Sequence, residues 1–133
     1  MKIESIQPDG WKAPRGYANG IAVSGATKLV FVAGQIAWDA DQKLVGAGDM
    51  AAQFAQVLRN VVAVVSAAGG QAQHIVRMTC YVTDKQKYSD ATREIGAAWR
   101  DILGKHYPAM ALVQVSGLLE PGALIEIEAT AAI

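Results

Sequence analysis

The chain has few of the residues that build covalently linked or metal-held structure. Among its 133 residues there is one cysteine, Cys80, and there are two histidines, His74 and His106. A lone cysteine cannot form an internal disulfide, which fits a reducing compartment. Because the histidines are far apart and no Cys-x-x-Cys or His-Glu-x-x-His arrangement occurs, we expect no metal ion and no cofactor.

Motifs of nucleophilic and nucleotide chemistry are also missing. The sequence contains no Gly-x-Ser-x-Gly turn and no glycine-rich loop of the kind that holds phosphate. Cys80 lies between Thr79 and Tyr81 in a β-rich run, where an inert buried thiol is a simpler prediction than a nucleophile.

The chain also lacks an excess of charge of either sign and a long apolar run. Lys plus Arg and Asp plus Glu each number 12, for a net charge of +0. The basic residues are scattered, which argues against a nucleic-acid partner. The N-terminus has no apolar signal-like segment, and no run reaches the ~20 apolar residues that span a bilayer. We therefore expect neither export nor membrane insertion, and a cytoplasmic location.

Hydrophobic residues, by contrast, are abundant at 52%, and the length suits one domain over residues 1–133. Short β-rich runs at residues 21–23 and 29–32 predict a hairpin. A helix is predicted from the N-cap Asp49 to the glycines at 69–70, a strand over 75–82, a second helix over 84–104, and two closing strands. The order β-β-α-β-α-β-β indicates an α+β fold, with a mixed sheet and both helices on one face.

The last strand alternates isoleucine and glutamate. Period-two geometry sends Ile125 and Ile127 to one face and Glu126 and Glu128 to the other. Two interpretations remain open here: a half-solvated strand, or carboxylates that belong to a site.

Several segments, in order and over nearly the whole chain, resemble the Rid family (reactive intermediate deaminase, YjgF-like). They are Gly-Tyr-Ala-Asn-Gly at 16–20, Phe-Val-Ala-Gly-Gln-Ile at 31–36, the helix at 49–70, the strand at 76–84, Tyr-Pro-Ala followed by Val-x-Val at 107–115, and Ile-Glu-Ile-Glu-Ala at 125–129. The resemblance implies a chorismate-mutase-like homotrimer that binds small metabolites in pockets built by two neighbouring subunits. It also implies hydrolytic deamination of an enamine or imine, with release of ammonia. A ribonuclease activity, described for some members, has less support in this chain, whose net charge is zero and whose basic residues are scattered.

The resemblance further implies a set of site residues. Glu126 and Tyr17 correspond to catalytic positions, and the corresponding substrate-binding positions are Ala33, Gly34, Thr92, Met110 and Leu112. Tyr17 can equally be an ordinary packed loop aromatic, and Thr92 an ordinary surface residue. Trp38 either reshapes the pocket or packs at an interface.

Three of these positions depart from the family pattern. Met110 stands where deaminating members carry an arginine that holds the substrate carboxylate, Leu112 where many carry cysteine, and Ala33 where many carry serine. A charged hydrogen bond contributes about 1.5 to 3 kcal/mol, so its loss should weaken acid binding by roughly one to two orders of magnitude. Two hypotheses follow: a deaminase with altered substrate preference, or a non-catalytic metabolite-binding trimer.

Overall fold

A computed structural model describes all 133 residues of the chain. Strands and helices follow one another as β1 (Lys2–Ile6), β2 (Gly20–Ser24), β3 (Leu29–Gln35), α1 (Met50–Ala67), a short 3-10 turn (Ala72–His74), β4 (Ile75–Val82), α2 (Lys85–Asp90), α3 (Thr92–Leu103), β5 (Ala109–Gln114) and β6 (Ile125–Ala132).

The main sheet has four strands in the order β3-β6-β4-β5. β6 is antiparallel to both of its neighbours, whereas β4 and β5 are parallel and joined through α2 and α3. The predicted α+β class with a mixed sheet is confirmed. The strand predicted over residues 75–82 is observed as β4, with the same bounds.

The predicted hairpin between residues 21–23 and 29–32 is wrong. β2 pairs with β1 in a separate two-stranded sheet, with Val23 opposite Ile3. β3 pairs instead with β6, where Phe31 lies opposite Thr130. The turn-forming residues between β2 and β3 favoured local pairing, but β3 buries Val32 only in the sheet that the helices cover.

The single helix predicted over residues 84–104 is divided in two. Asp84 caps α2, since its side chain accepts hydrogen bonds from the backbone N–H groups of Gln86 at 3.0 Å and Lys87 at 3.1 Å. Ala91, at φ −101° and ψ 10°, separates α2 from α3. The hydroxyl of Thr92 donates to the Ser89 carbonyl at 2.9 Å, which satisfies a carbonyl at the break.

Helix α1 begins at the predicted cap, where Asp49 accepts a hydrogen bond from Ala52 N–H at 3.1 Å. Its 18 residues and mean hydropathy of 1.3 would by themselves suit a membrane span. In the fold, however, Phe54 and Val61 are fully buried between α1 and the sheet. The hydropathy of α1 is therefore that of a core helix.

The core lies between the helices and one face of the main sheet, where 19 buried residues form one cluster. The opposite sheet face has no covering layer. Leu29 and Phe31 on this open face are 59% and 75% exposed, and Val113 is 43% exposed.

One polar side chain is fully buried in the core, that of Gln53. Its amide nitrogen donates to the carbonyls of Gly46 at 3.2 Å and Gly122 at 3.0 Å. Its amide oxygen accepts from Leu124 N–H at 2.8 Å. Gln53 therefore ties α1 to the loop before the helix and to the loop that enters β6.

Replacing Gln53 by leucine should lower the free energy of unfolding by at least about 2 kcal/mol, because two carbonyls and one N–H would lose their buried partner. Urea unfolding followed by circular dichroism measures this change. The matched control is Gln73→Leu on the exposed 3-10 turn, with an expected change within about 0.5 kcal/mol. Equal midpoints for the two variants would contradict the proposed role of Gln53.

Candidate functional site

A β-bulge in β3 places the backbone of Gly34 against the side chain of Glu126. The register between β3 and β6 shifts between Val32 and Gln35, so Ala33 and Gly34 lie within the irregular segment. A Cβ atom on Gly34 would stand 2.9 Å from Cδ of Glu126 and still closer to its Oε1. Residue 34 therefore has to lack a side chain for the carboxylate to occupy this position.

The two glutamates of β6 lie in different environments. Glu128 is exposed and accepts a hydrogen bond from the Tyr81 hydroxyl at 2.8 Å. That hydrogen bond, followed by desolvation, raises the pKa of Tyr81. Glu126 is half-buried and makes no hydrogen bond within the chain, whose one ion pair joins Lys2 and Glu4. Of the two acids, Glu126 is therefore the one whose carboxylate has no hydrogen-bond partner within the chain.

Glu126 opens into a cavity of about 340 Å³, which we call the Glu126 cavity; its lining residues are Gly34, Gln35, Ile36, Trp38, Gln42, Leu119, Glu120 and Glu126. Trp38 does line this cavity, and its indole N–H is buried without a hydrogen-bond partner. Its carbonyl accepts from the Asn60 amide at 2.8 Å, so α1 holds its backbone in place. The sequence analysis does not identify Glu120 as a residue of this cavity. The only sequence feature that could have indicated it is its position shortly before the closing strand.

Met110 and Leu112 lie on the helix side of the sheet. They pair with Met78 and Cys80 of β4, whose side chains are fully buried, and both pack partly against the core. Met110 and Thr92 line a second cavity, of about 240 Å³. We call it the α3 cavity; its lining residues are Gly16, Tyr88, Thr92, Ile95, Gly96, Trp99, Arg100, Tyr107 and Met110.

Tyr17, in the loop between β1 and β2, lies near Met110 at the start of β5. Ala18 forms a bridge to Ala109, and its N–H donates to the Pro108 carbonyl at 3.0 Å. This contact places Tyr17, which is 41% exposed, beside the start of β5. Tyr17 and Met110 together line a surface cavity of about 320 Å³ at this sheet edge.

The predicted site residues thus fall into two groups that a single chain does not bring together. Glu126 lies opposite Tyr81 and Met110 opposite Met78, on strands that flank β4 on its two sides. Strand geometry separates the two by roughly 10 Å along β4 and roughly 10 Å across it. Glu126 lies on the open face, whereas Met110 faces the helices.

The remaining ionisable side chains that could take part in chemistry are either buried, as Cys80 and Tyr88 are, or far from one another. Burial raises the pKa of the Cys80 thiol to about 12. Burial is also the larger cause that raises the pKa of Tyr88 to about 12. No three His, Cys, Asp or Glu side chains lie together as a metal-binding group.

The mixed sheet, with helices on one face and a glycine bulge facing a strand carboxylate, defines the class of the protein as an α+β domain of the Rid type. Residues 10–133 match the family described as Endoribonuclease L-PSP. The chain belongs to this family, the Rid or YjgF-like proteins.

Individual relatives agree over almost their full lengths. Protein DfrA of Myxococcus xanthus is 34% identical over 98% of this chain and 96% of its own. A protein named 3-aminoacrylate deaminase RutC, from Acinetobacter baylyi, is 31% identical over 98% of both chains. The solved structure of YyfB from Yersinia pestis, a Rid-family protein of unknown function, superposes with a TM-score of 0.85 at 32% identity, covering 100% of both chains.

Cys80 should be unreactive in the folded protein. At pH 8 its raised pKa leaves almost no thiolate, and its side chain is buried. A thiol reagent such as Ellman's reagent should therefore label one equivalent in denaturant and essentially none without it.

The raised pKa also makes the free energy of unfolding depend on pH, because the thiol ionises more readily in the unfolded chain than in the folded one. The contribution of the buried neutral thiol to stability is fully present below the ordinary cysteine pKa and is lost as the pH rises toward 12. Rapid labelling of the native protein at pH 8 would contradict this assignment.

Proposed function

We propose that the chain hydrolyses a small enamine or imine and releases ammonia, with a substrate preference altered by Met110. The observation that carries the proposal is the free, half-buried carboxylate of Glu126 against the side-chain-free backbone of Gly34. A relative named 3-aminoacrylate deaminase supports this reaction class.

In the proposed reaction an enamine first tautomerises to the imine, and water then adds to the imine carbon. Glu126 accepts a proton from the attacking water and returns it to the substrate nitrogen. In the resulting carbinolamine Glu126 accepts the hydroxyl proton and passes it to the amine nitrogen, so that the C–N bond breaks, the C–O bond becomes a carbonyl, and the nitrogen leaves as ammonia. No oxidant, reductant or cofactor enters this balance.

The remaining site residues are proposed to hold the substrate. Gly34 and Ala33 provide close backbone approach beside Glu126, and Tyr17 provides an apolar wall with a polar tip. Thr92 offers its hydroxyl oxygen as an acceptor, because its hydroxyl hydrogen is donated to the Ser89 carbonyl. Met110 places a soft, adaptable thioether beside Tyr17. Leu112, two residues further along β5, packs partly against the core.

We further propose a homotrimer in which each pocket combines the Glu126 cavity of one subunit with Tyr17, Thr92 and Met110 of its neighbour. Two observations support it: the two groups do not meet in one chain, and the open sheet face exposes Leu29 and Phe31. Apolar side chains on such a face gain from burial in an assembly. The single buried Cys80 fits a cytoplasmic protein.

The second candidate is a non-catalytic trimer that binds a small metabolite. Met110 favours it, because a thioether cannot form the charged hydrogen bonds that an arginine offers to a carboxylate. The two candidates share the pocket and differ in the role of Glu126.

Glu126→Gln should reduce turnover of freshly generated imines by about 100-fold or more, because the amide cannot accept the proton from water. Glu128→Gln is the matched control and should stay close to wild type, since Glu128 already accepts from Tyr81. Gly34→Ala should also reduce turnover, because its Cβ would displace the Glu126 carboxylate. The turnover of the wild type and the three variants is measured as the rate of ammonia release.

Equal rates for wild type, Glu126→Gln and buffer across the imine panel would remove the deaminase proposal. If metabolites then still raise the melting temperature of the wild type, the binding-protein candidate stands.

The wild-type protein should have a solution mass three times the 14.0 kDa of the chain. Phe31→Glu should shift the mass toward the monomer, because it places a charge on the exposed apolar sheet face. Val64→Glu, on the exposed side of α1, is the matched control and should remain trimeric. Light scattering coupled to size exclusion measures the masses. A wild-type mass of one chain would contradict the trimer.

A further inference from the structure

The α3 cavity contains one charged side chain, that of Arg100. Arg100 lies one helical turn after Gly96 and two turns after Thr92, on the same face of α3. Its side chain folds back along the helix, so that a Cβ atom on Gly96 would stand 3.3 Å from Nη1 of Arg100. A glycine in a helix interior lowers helix stability, and here it leaves space for the guanidinium.

The guanidinium of Arg100 has no partner within the chain. It makes no hydrogen bond, and the one ion pair of the chain is formed elsewhere, between Lys2 and Glu4. Neither acid of the same helix, Glu94 or Asp101, forms an ion pair with this guanidinium, which is exposed. A guanidinium presents N–H donors in a planar fork that matches the two oxygens of a carboxylate.

Three of the other eight residues that line the cavity are aromatic: Tyr88, Trp99 and Tyr107. The rings of Trp99 and Tyr107 stack at 5.8 Å with an interplanar angle of 7°. The indole N–H of Trp99 donates to the His106 carbonyl at 3.1 Å and so is not available to a ligand. The Tyr88 hydroxyl makes no hydrogen bond within the chain, so it remains available to a ligand as a donor.

We propose that Arg100 binds the carboxylate of the ligand in the α3 cavity, so that this chain is selective for small acids although residue 110 is methionine. The proposal rests on the proposed function for the identity of the pocket, but it concerns binding and not turnover. It revises the expectation from sequence that the pocket lacks a charged anchor. The ligand class is a small 2-oxo, 2-imino or enamine acid whose apolar part faces Met110 and the aromatic walls.

Isothermal titration with pyruvate and with its neutral amide, pyruvamide, tests the proposal. The wild type should bind pyruvate more tightly than pyruvamide. Arg100→Gln should weaken pyruvate binding by about ten- to hundredfold and leave pyruvamide binding unchanged. Arg93→Gln, on the same helix but outside the cavity, is the matched control and should bind pyruvate like wild type.

A rescue variant separates ligand contact from structural support. Adding Met110→Arg to Arg100→Gln should restore the preference for pyruvate, because it returns a guanidinium to the same cavity from the β5 side. The melting temperature of Arg100→Gln without ligand should equal that of wild type, since Arg100 is exposed.

Absence of a pyruvate preference in the wild type, or unchanged pyruvate affinity in Arg100→Gln, would overturn the assignment. If the preference holds while the wild type hydrolyses no imine, the anion site stands and the proposed reaction fails.

Discussion

The buried amide of Gln53 is the contact on which the geometry of the Glu126 cavity depends. It joins the middle of the core to two loops, through the carbonyls of Gly46 and Gly122 and the N–H of Leu124. The first loop carries Trp38 and Gln42, and the second carries Leu119 and Glu120, so both contribute walls of the cavity. Because Leu124 directly precedes β6, the same amide also fixes where the strand of Glu126 begins.

The order of strands in the sheet explains why the site residues separate. β4 is central, with β6 on one side and β5 on the other, so the carboxylate on β6 and the residues around Met110 cannot approach each other within a chain. The side chains also alternate between faces, which sends Glu126 to the open face and Met110 toward the helices. A second subunit that covers the open face would address both the exposed apolar residues and the divided site.

Much of the fold could be predicted from local patterns. The Asp49 cap and the spacing of Phe54 and Val61 located α1, and the apolar run at Ile75–Val82 located β4. The failures have a common cause. The pairing of β2 with β1 and the division at Ala91 depend on which partner and which direction bury more surface, and local propensity does not contain that information.

The sequence by itself determined the fold class, the alternation that separates Glu126 from Ile125 and Ile127, and the absence of an arginine at residue 110. Only the tertiary structure showed that Glu126 has no partner while Glu128 accepts from Tyr81, and that Arg100 folds over Gly96 beside Met110. The physical reason is that alternation and propensity act along the chain, whereas hydrogen-bond partners, cavities and uncompensated charges depend on residues brought together from distant segments.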